Sequence, residues 1–445
     1  MKKITMSAVA LTAIMGSFSS VSAADGINIL DNLVLEGQIR PRWENVNVDN
    51  SPGQHVKDAN AYTARTKLKV TGDLLDVDGL SASVGIISVN DFGSNTYNST
   101  SNGQTEYATV ADPEKAMISN AEINYKVADT VLHAGRGQVN LDNQRFIGTV
   151  GWRQLERSYD SVFIANNSIK NLSVLAAWVY GVQGVKSLAN NDGLYGENTY
   201  DTNTVLLHAA YSVMPALKVT AYDYMIANTH DTYGIAATGN VKMDAVKLNY
   251  RAEYAQQADP SMEIHKNGTQ GVKVDASYYN LDLGANISGI LVGANYEFLS
   301  GTSMNDTSGK DKTFTTPLAT GHKFNGWADK FLSTPDGGLI DANVRLGYKA
   351  KGFGKLLAVY HDFTADKKMN AVSGSGTTDD LGSEIDVVYV NKIPGVNGLT
   401  GLLKYANYSK GKAVQGTFGN GDYVNAWTKD TQKFWAQLDY KFSTK

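Results

Sequence analysis

A chain of 445 residues with 40 Lys and Arg against 44 Asp and Glu carries a net charge of −4, so it offers no basic excess for a nucleic-acid partner. It contains no cysteine, which removes thiolate catalysis, cysteine-held metals and disulfides. Its 43 Gly and 24 Tyr, with only 8 Pro, suit strands joined by turns.

The chain opens with Lys2 and Lys3, an apolar run from Met6 to Phe18, and small residues at Val21-Ser22-Ala23. That order predicts a secretory signal over residues 1–23, cut after Ala23, and one domain over 24–445. Beyond it, no stretch approaches the ~20 apolar residues of a membrane helix. Strands that cross a bilayer need only ~9–11 residues and alternate, so they leave mean hydropathy low.

Such alternation recurs along the chain. Leu33, Leu35, Ile39 and Trp43 share one face of a first strand, and Glu36, Gln38, Arg40 and Arg42 the other. Tyr62, Ala64, Leu68 and Val70 then alternate with Thr63, Arg65, Lys67, Lys69 and Thr71. The same pattern appears around Val246–Glu253, Ile340–Lys349 and Lys433–Phe442. Connections alternate too. Short turns at Asp76-Val77-Asp78, Ala128-Asp129, Asn166 to Lys170 and Met214-Pro215-Ala216 are each followed by a longer polar stretch. Those stretches are Asp91 to Lys115, Asn140 to Gln154, Gly184 to Thr202 and Ala227 to Asp231. Short turns on one side and long loops on the other are the habit of outer-membrane barrels, not of soluble sandwiches. Seventeen strands are evident. Thr232 to Thr238, ended by a Gly239-Asn240 turn, supplies a weak further one. The expected fold is therefore all-β: a transmembrane antiparallel up-and-down barrel of about eighteen strands, with sixteen as the alternative.

Charge fixes the faces. An Arg or Lys on the lipid side costs ~2–4 kcal/mol at the midplane, so the cationic faces must point inward. Arg40, Arg42, Arg65, Lys67, Lys69, Arg136, Arg153, Arg251 and Arg345 are the expected pore-lining residues. Seven of the nine arginines precede Lys170, a basic ladder on one side of the lumen. Inward carboxylates at Glu297, Asp341, Glu384 and Asp386 fall in later strands, which suggests a transverse field; mutual neutralisation of wall pairs is the other reading for any single residue. Outward Trp43, Tyr62, Tyr125, Trp178, Tyr180, Tyr211, Tyr348 and Tyr440 read as interfacial girdles. Phe324, Trp327 and Phe331 would be out of place on a solvated loop tip. They predict that part of Gly301 to Gly338 folds into the pore as a constriction.

Catalytic patterns are missing. The seven histidines are dispersed without metal-ligand spacing, and neither a GxSxG elbow nor a P-loop is present. No enzymatic activity, cofactor or metal is expected. Asn305 to Asp311 resembles a calcium loop only faintly, and Lys310 makes it an ordinary surface loop.

Two segments carry a family resemblance. Gly135-Arg136-Gly137-Gln138, continuing through Leu141 to Gly148 and Gly151-Trp152-Arg153-Gln154, resembles a block of alginate-export-type outer-membrane proteins. His322 to Leu332, continuing through Ser333 to Leu339, resembles a second block, in the same order and spacing. The chain is also similar, more loosely, to general porins of campylobacter-like bacteria. The resemblance implies an eighteen-stranded barrel and a conduit for an anionic polysaccharide, lined by Arg40 or Arg42, Arg65, Arg136, Arg153 and Arg345.

The expected function is passive diffusion of small hydrophilic, preferentially anionic solutes across a bacterial outer membrane, with lipid and solute as partners. A polysaccharide exporter and a closed structural or adhesive barrel are the alternatives. Monomer and homotrimer both remain open.

Overall fold

The computed structural model describes residues 21–22, 28–49, 56–186, 199–262, 273–371, 376–414 and 426–445. Most of the expected export signal lies outside these residues. Of that segment, Val21–Ser22 pairs in antiparallel fashion with the start of the first long strand.

Eighteen long strands follow one another. They are β1 (Asn28–Val48), β2 (Ala59–Leu74), β3 (Leu80–Asn90), β4 (Lys115–Val127), β5 (Thr130–Gly137), β6 (Ser158–Asn166), β7 (Leu172–Gln183), β8 (Thr199–Met214) and β9 (Leu217–Ile226). Then come β10 (His230–Met243), β11 (Val246–Ala258), β12 (Lys273–Ile287), β13 (Ile290–Leu299), β14 (Leu339–Ala350), β15 (Gly354–Ala371), β16 (Thr377–Lys392), β17 (Leu399–Lys410) and β18 (Thr431–Ser443). Each pairs antiparallel with the next, and β18 returns to β1 through Ile39–Tyr440 and Trp43–Ala436. The sheet is thus closed and has no free edge, so every backbone donor and acceptor of the wall can pair within it. Pro41 marks the seam. It has no N–H, and the ladder to β18 passes from Ile39–Tyr440 directly to Arg42–Gln437.

Side-chain sorting follows from the pleat. Val84, Leu132, Val162, Leu281, Leu283, Val344 and Leu346 stand exposed on the outer surface. Their strand neighbours, among them Ser83, His133, Ser161, Asn280 and Asn343, are buried inward. A belt of exposed aliphatic groups around a closed sheet is stable only against hydrocarbon. Tyr62, Trp178, Tyr180, Tyr211 and Tyr348 are exposed on that same outer surface. No helix of the described residues is long and apolar enough to cross a membrane.

Two expectations about the chain path need correction. The weak strand does not end at Gly239-Asn240. β10 runs on to Met243, paired residue by residue with β11, and the turn is Asp244-Ala245 with Asp244 in the left-handed region. Gly239 sits in the strand because Tyr250 crosses directly over it; a Cβ there would meet the Tyr250 ring at 2.6 Å and the Ala216 carbonyl oxygen at 1.8 Å. Nor is Ala227 to Asp231 a long loop. His230 already pairs with Ile226, leaving a hairpin of three residues, with Asn228 at φ 57.

Long connections at the opposite end fold inward. The segments 91–114, 138–157 and 300–338 enter the barrel and pack on its inner wall. Phe146 lies among Tyr222, Tyr278 and Phe314, with ring centroids 5.3–5.9 Å away. Phe331 sits 4.6 Å from Phe363 and about 6 Å from Tyr408 and Trp427. The core of the molecule is therefore inside the barrel, between inserted loops and wall.

Candidate functional site: a loop-narrowed lumen

β1 and β2 place Arg40, Arg42, Arg65 and Lys67 on the inner wall by alternation. The segment 151–156 lies directly over them. Arg40 donates to Gln154 Oε1 at 3.0 Å and to the Gly151, Trp152 and Arg153 carbonyls. Arg42 grips Gln437 and the Trp152 carbonyl, and its guanidinium lies 4.2 Å over the Trp152 ring. Arg65 and Lys67 both bind Glu156. Burial would push that carboxyl up, but the two cations outweigh it and hold Glu156 below the usual range. Arg40, Arg42 and Arg65 are only 3–5 % exposed. The wall cations expected to face solute here instead face a loop, because that loop supplies carbonyls and one carboxylate at their height.

The other expected cations form wall pairs. Lys69 meets Glu122 at 3.0 Å. Arg136 binds Asp160 through two bonds of 2.6 and 2.7 Å. Arg251 does the same with Glu253 at 2.7 and 2.8 Å, and Arg345 with Asp282 at 2.7 and 2.9 Å. Such bidentate pairs fix geometry and cancel charge locally.

Arg153 has a different place. Its guanidinium reaches Glu44 at 3.2 Å and Asp329 Oδ2 at 2.8 Å, joining the 138–157 segment to the 300–338 segment. Lys433 of β18 binds the same Asp329 oxygen at 2.9 Å. Asp329 Oδ1 accepts from His322 Nδ1 at 2.6 Å, and His322 Nε2 takes Lys404 Nζ at 2.6 Å. Burial keeps the His322 imidazole well below its ordinary pKa against the pull of Asp329, with Lys404 and Arg153 adding to the effect. The ring is neutral, donating through one nitrogen and accepting through the other. With Nε2 already occupied by Lys404, it cannot serve as a base toward a nucleophile. Asp112, from 91–114, joins the cluster by accepting the Gln154 N–H at 2.7 Å and lying 3.5 Å from Arg42.

The inserted 300–338 segment is held on the facing wall by carboxylates. Glu297 accepts from Asn325 at 2.6 Å and Arg145 at 2.8 Å. Glu384 accepts the Ala328 N–H at 2.7 Å, and Asp386 the Trp327 N–H at 3.2 Å. Asn325, Gly326 and Asp329 all take positive φ, a compact turn that presses backbone against acid. Of the residues expected to form a constriction, Phe331 is buried and Trp327 half-buried, with Lys404 3.9 Å over the Trp327 ring. Phe324 is half-buried beneath Arg145, 4.8 Å away. All three lie inside the barrel. Asp306, in the faint calcium-loop segment, is paired with Lys312 at 2.7 Å.

Above this level, at the long-loop end, a cavity of about 730 Å³ opens. Arg153, Arg157, Lys186, Lys330, Lys429 and Lys433 line it, and Asp329 is the one carboxylate among the described lining residues. Of these six, Arg153 and Arg157 belong to the expected basic ladder, and Lys433 lies on the polar face of the last strand by alternation. Lys186, Lys330 and Lys429 sit in loops, where periodicity carries no information. Gln154, Glu156 and Asp329 were equally unassigned, although Phe146 and Trp152 in a polar stretch signal an inserted segment by the same logic as Phe324 and Trp327.

No family model matches the chain, and no curated protein matches it in sequence. Solved structures do match in fold. OccAB4 of Acinetobacter baumannii superposes with a TM-score of 0.65 at 13% identity, covering 93% of this chain and 99% of that one. OccAB2 of the same organism gives 0.65 at 15%, covering 94% and 99%. OccK8 (OprE) of Pseudomonas aeruginosa gives 0.63 at 15%, covering 93% and 99%. At these identities the likeness concerns the barrel fold. The alginate-export resemblance gains no support from any family model.

Proposed function

We propose that the chain is a passive outer-membrane channel for small hydrophilic solutes, with a preference for anions. One observation carries the reading. A closed barrel with a lipid-compatible exterior has its lumen narrowed by inserted loops, and the cavity at its mouth bears six cations against one carboxylate. The proteins that share its fold are outer-membrane porins, which supports the same location and transport class. In that setting residues 1–23 act as the export signal, the short turns face the periplasm and the long loops face outside. Selectivity comes from width and fixed charge, with no chemical step.

A conduit for an acidic polysaccharide fits less well. Three connections fold into the lumen and are tied to both walls, so an extended polymer would have to displace bonds such as Arg153–Asp329 and Ala328–Glu384. Reversal potential in a potassium chloride gradient across a planar bilayer tests the proposal. An anion-selective pore is expected; a cation-selective pore, or no steady conductance, contradicts it.

A further inference from the structure

We infer that the external cavity is a binding subsite for doubly charged tetrahedral oxyanions, the class of sulfate, phosphate and phosphate monoesters, which pass through it ahead of singly charged anions. This rests on the channel reading above and names the solute class of its mouth.

The charge is not balanced locally. Arg157 donates to the carbonyl oxygens of Gly148, Ala319 and Pro317, and its Nε is buried without a hydrogen-bond partner. Among the described residues no carboxylate pairs with it, so its full charge acts on the cavity. Asp329 must serve Arg153 and Lys433 through a single oxygen while its other oxygen serves His322. Glu44 takes the other side of Arg153, so the charge left without a carboxylate among the described residues is that of Arg157, and it is available to a ligand.

The donor types favour a tetrahedral acceptor. A free arginine fork imposes a plane on carboxylate and phosphate alike, whereas lysine acts as a point charge with three donors and accepts a tetrahedral ion from any direction. Here Arg153 is held by Glu44 and Asp329, and Arg157 by backbone carbonyls. Four of the six cations are lysines. Thr315, Thr316, Thr334 and Thr431 add neutral hydroxyls to the same lining. A volume of about 730 Å³ admits such an ion with part of its hydration shell or an attached sugar.

Lys330 gives independent support. Its Nζ binds Thr431 Oγ1 and lies 5.3 Å over the Tyr408 ring. Burial, with Lys433 close by, brings it down to about 7; Lys429 adds to this, while Glu384 and Asp430 oppose it. An anion bound beside this lysine favours its protonated form. Binding should therefore tighten as pH falls through 7.

Block of chloride current in planar bilayers tests this, with probes added on the external side in 0.1 M potassium chloride. Sulfate stays a dianion across the range, malonate is a dianion near neutrality that presents two flat carboxylates, and acetate is a monoanion. Sulfate is expected to reduce chloride current at a concentration at least tenfold lower than malonate, with little effect of acetate. Lys433→Met should weaken sulfate block at least tenfold, and Lys429→Met, at the cavity edge and away from the Asp329 cluster, at least threefold. Raising pH from 6 to 8.5 should weaken it in the wild type. If malonate blocks as well as sulfate, or both variants keep full block, the inference is overturned while the channel reading stands. A wild-type protein that gives no anion-selective current at all overturns the channel reading itself, and this inference with it.

Discussion

His322 Nδ1 lies 2.6 Å from Asp329 Oδ1, seven residues on in the same inserted segment, and the two are buried together. The bond closes the turn that carries Gly326 and Trp327 toward the acidic wall, while Asp329 Oδ2 faces Arg153 of the inserted 138–157 segment and Lys433 of β18. Burial alone would push the Asp329 carboxyl up; His322, Lys433 and Arg153 outweigh it and hold it well below the carboxylate range. Asp329 is thus ionised at any physiological pH and fastens the segment to both sides.

Asp329→Asn removes the charge and leaves the shape. Stranding buried cations costs about 3–5 kcal/mol. The barrel wall has its own ladder, so the cost falls on the inserted segment, whose opening becomes at least about a hundredfold more frequent. Trypsin cleavage at Lys323 and Lys330 in the folded, detergent-solubilised protein reads this directly. The wild type should resist and the variant should be cut while its strand content stays intact. Equal resistance would rule out Asp329 as the fastener.

Gly326 brings this segment's backbone directly against the wall. Its φ is +82, and an added Cβ would lie 2.5 Å from Glu384 Oε2. Gly326→Ala combines left-handed strain of about 1–2 kcal/mol with that overlap. Either the Glu384 carboxylate turns away or the turn lifts, and both break the Ala328–Glu384 bond. Single-channel conductance should rise and the open level should become noisier, at unchanged circular dichroism. Wild-type conductance in the variant would show that the turn does not narrow the path.

How much of this was legible in the sequence differs between wall and lumen. Period-two alternation located strands such as β2, β11 and β14 because a lipid-facing side and a wet side impose it on every residue. Even β10, with its Gly239, was recoverable from the need for short and long connections to alternate. The lumen obeys no such period. Arg40 and Arg65 were rightly turned inward, yet what meets them is Gln154 and Glu156, more than 90 positions away, in a connection that reads as polar surface loop. Pairing across the lumen depends on where a loop comes to rest, and only stray aromatics such as Phe331 announce that it rests inside.

Lys330 predicts a pH dependence. Its pKa of about 7 means it is charged below neutrality and neutral above. The unfolded lysine stays protonated to about pH 10.4, so the unfolded chain binds more protons between 7 and that value, and this group's contribution to stability rises with pH across the window. Selectivity moves the other way. Loss of one cation from the mouth should lower the chloride-to-potassium permeability ratio about twofold between pH 6 and 8.5, a change of a few tenths of a kcal/mol that suits one partly screened charge. Reversal potentials at the two pH values measure it. Lys330→Met should give the lower ratio at both; a wild-type ratio that does not change with pH would show that Lys330 keeps its charge.

Two deletions separate the parts of the 300–338 connection. Asp306 and Lys310 lie at an exposed tip, where Asp306 pairs with Lys312 and Lys310 with Asp275 on the rim. Phe314 is wholly buried against Tyr278, and Thr315 is bonded to Gln257 and His230, so the inserted part already begins there. A deletion carried on as far as Thr316 would therefore cut into packed structure. Removing Met304 to Lys310 should leave unitary conductance near the wild-type value. Replacing Phe324 to Leu332 with a short Gly-Ser link removes Asp329, the Trp327 and Ala328 amides and the Phe331 anchor together, and should raise conductance severalfold, since flow scales with the cross-section left open. The same increase from both deletions would mean that narrowing is spread over the whole connection, and no increase from the second would place the constriction in the 138–157 segment instead.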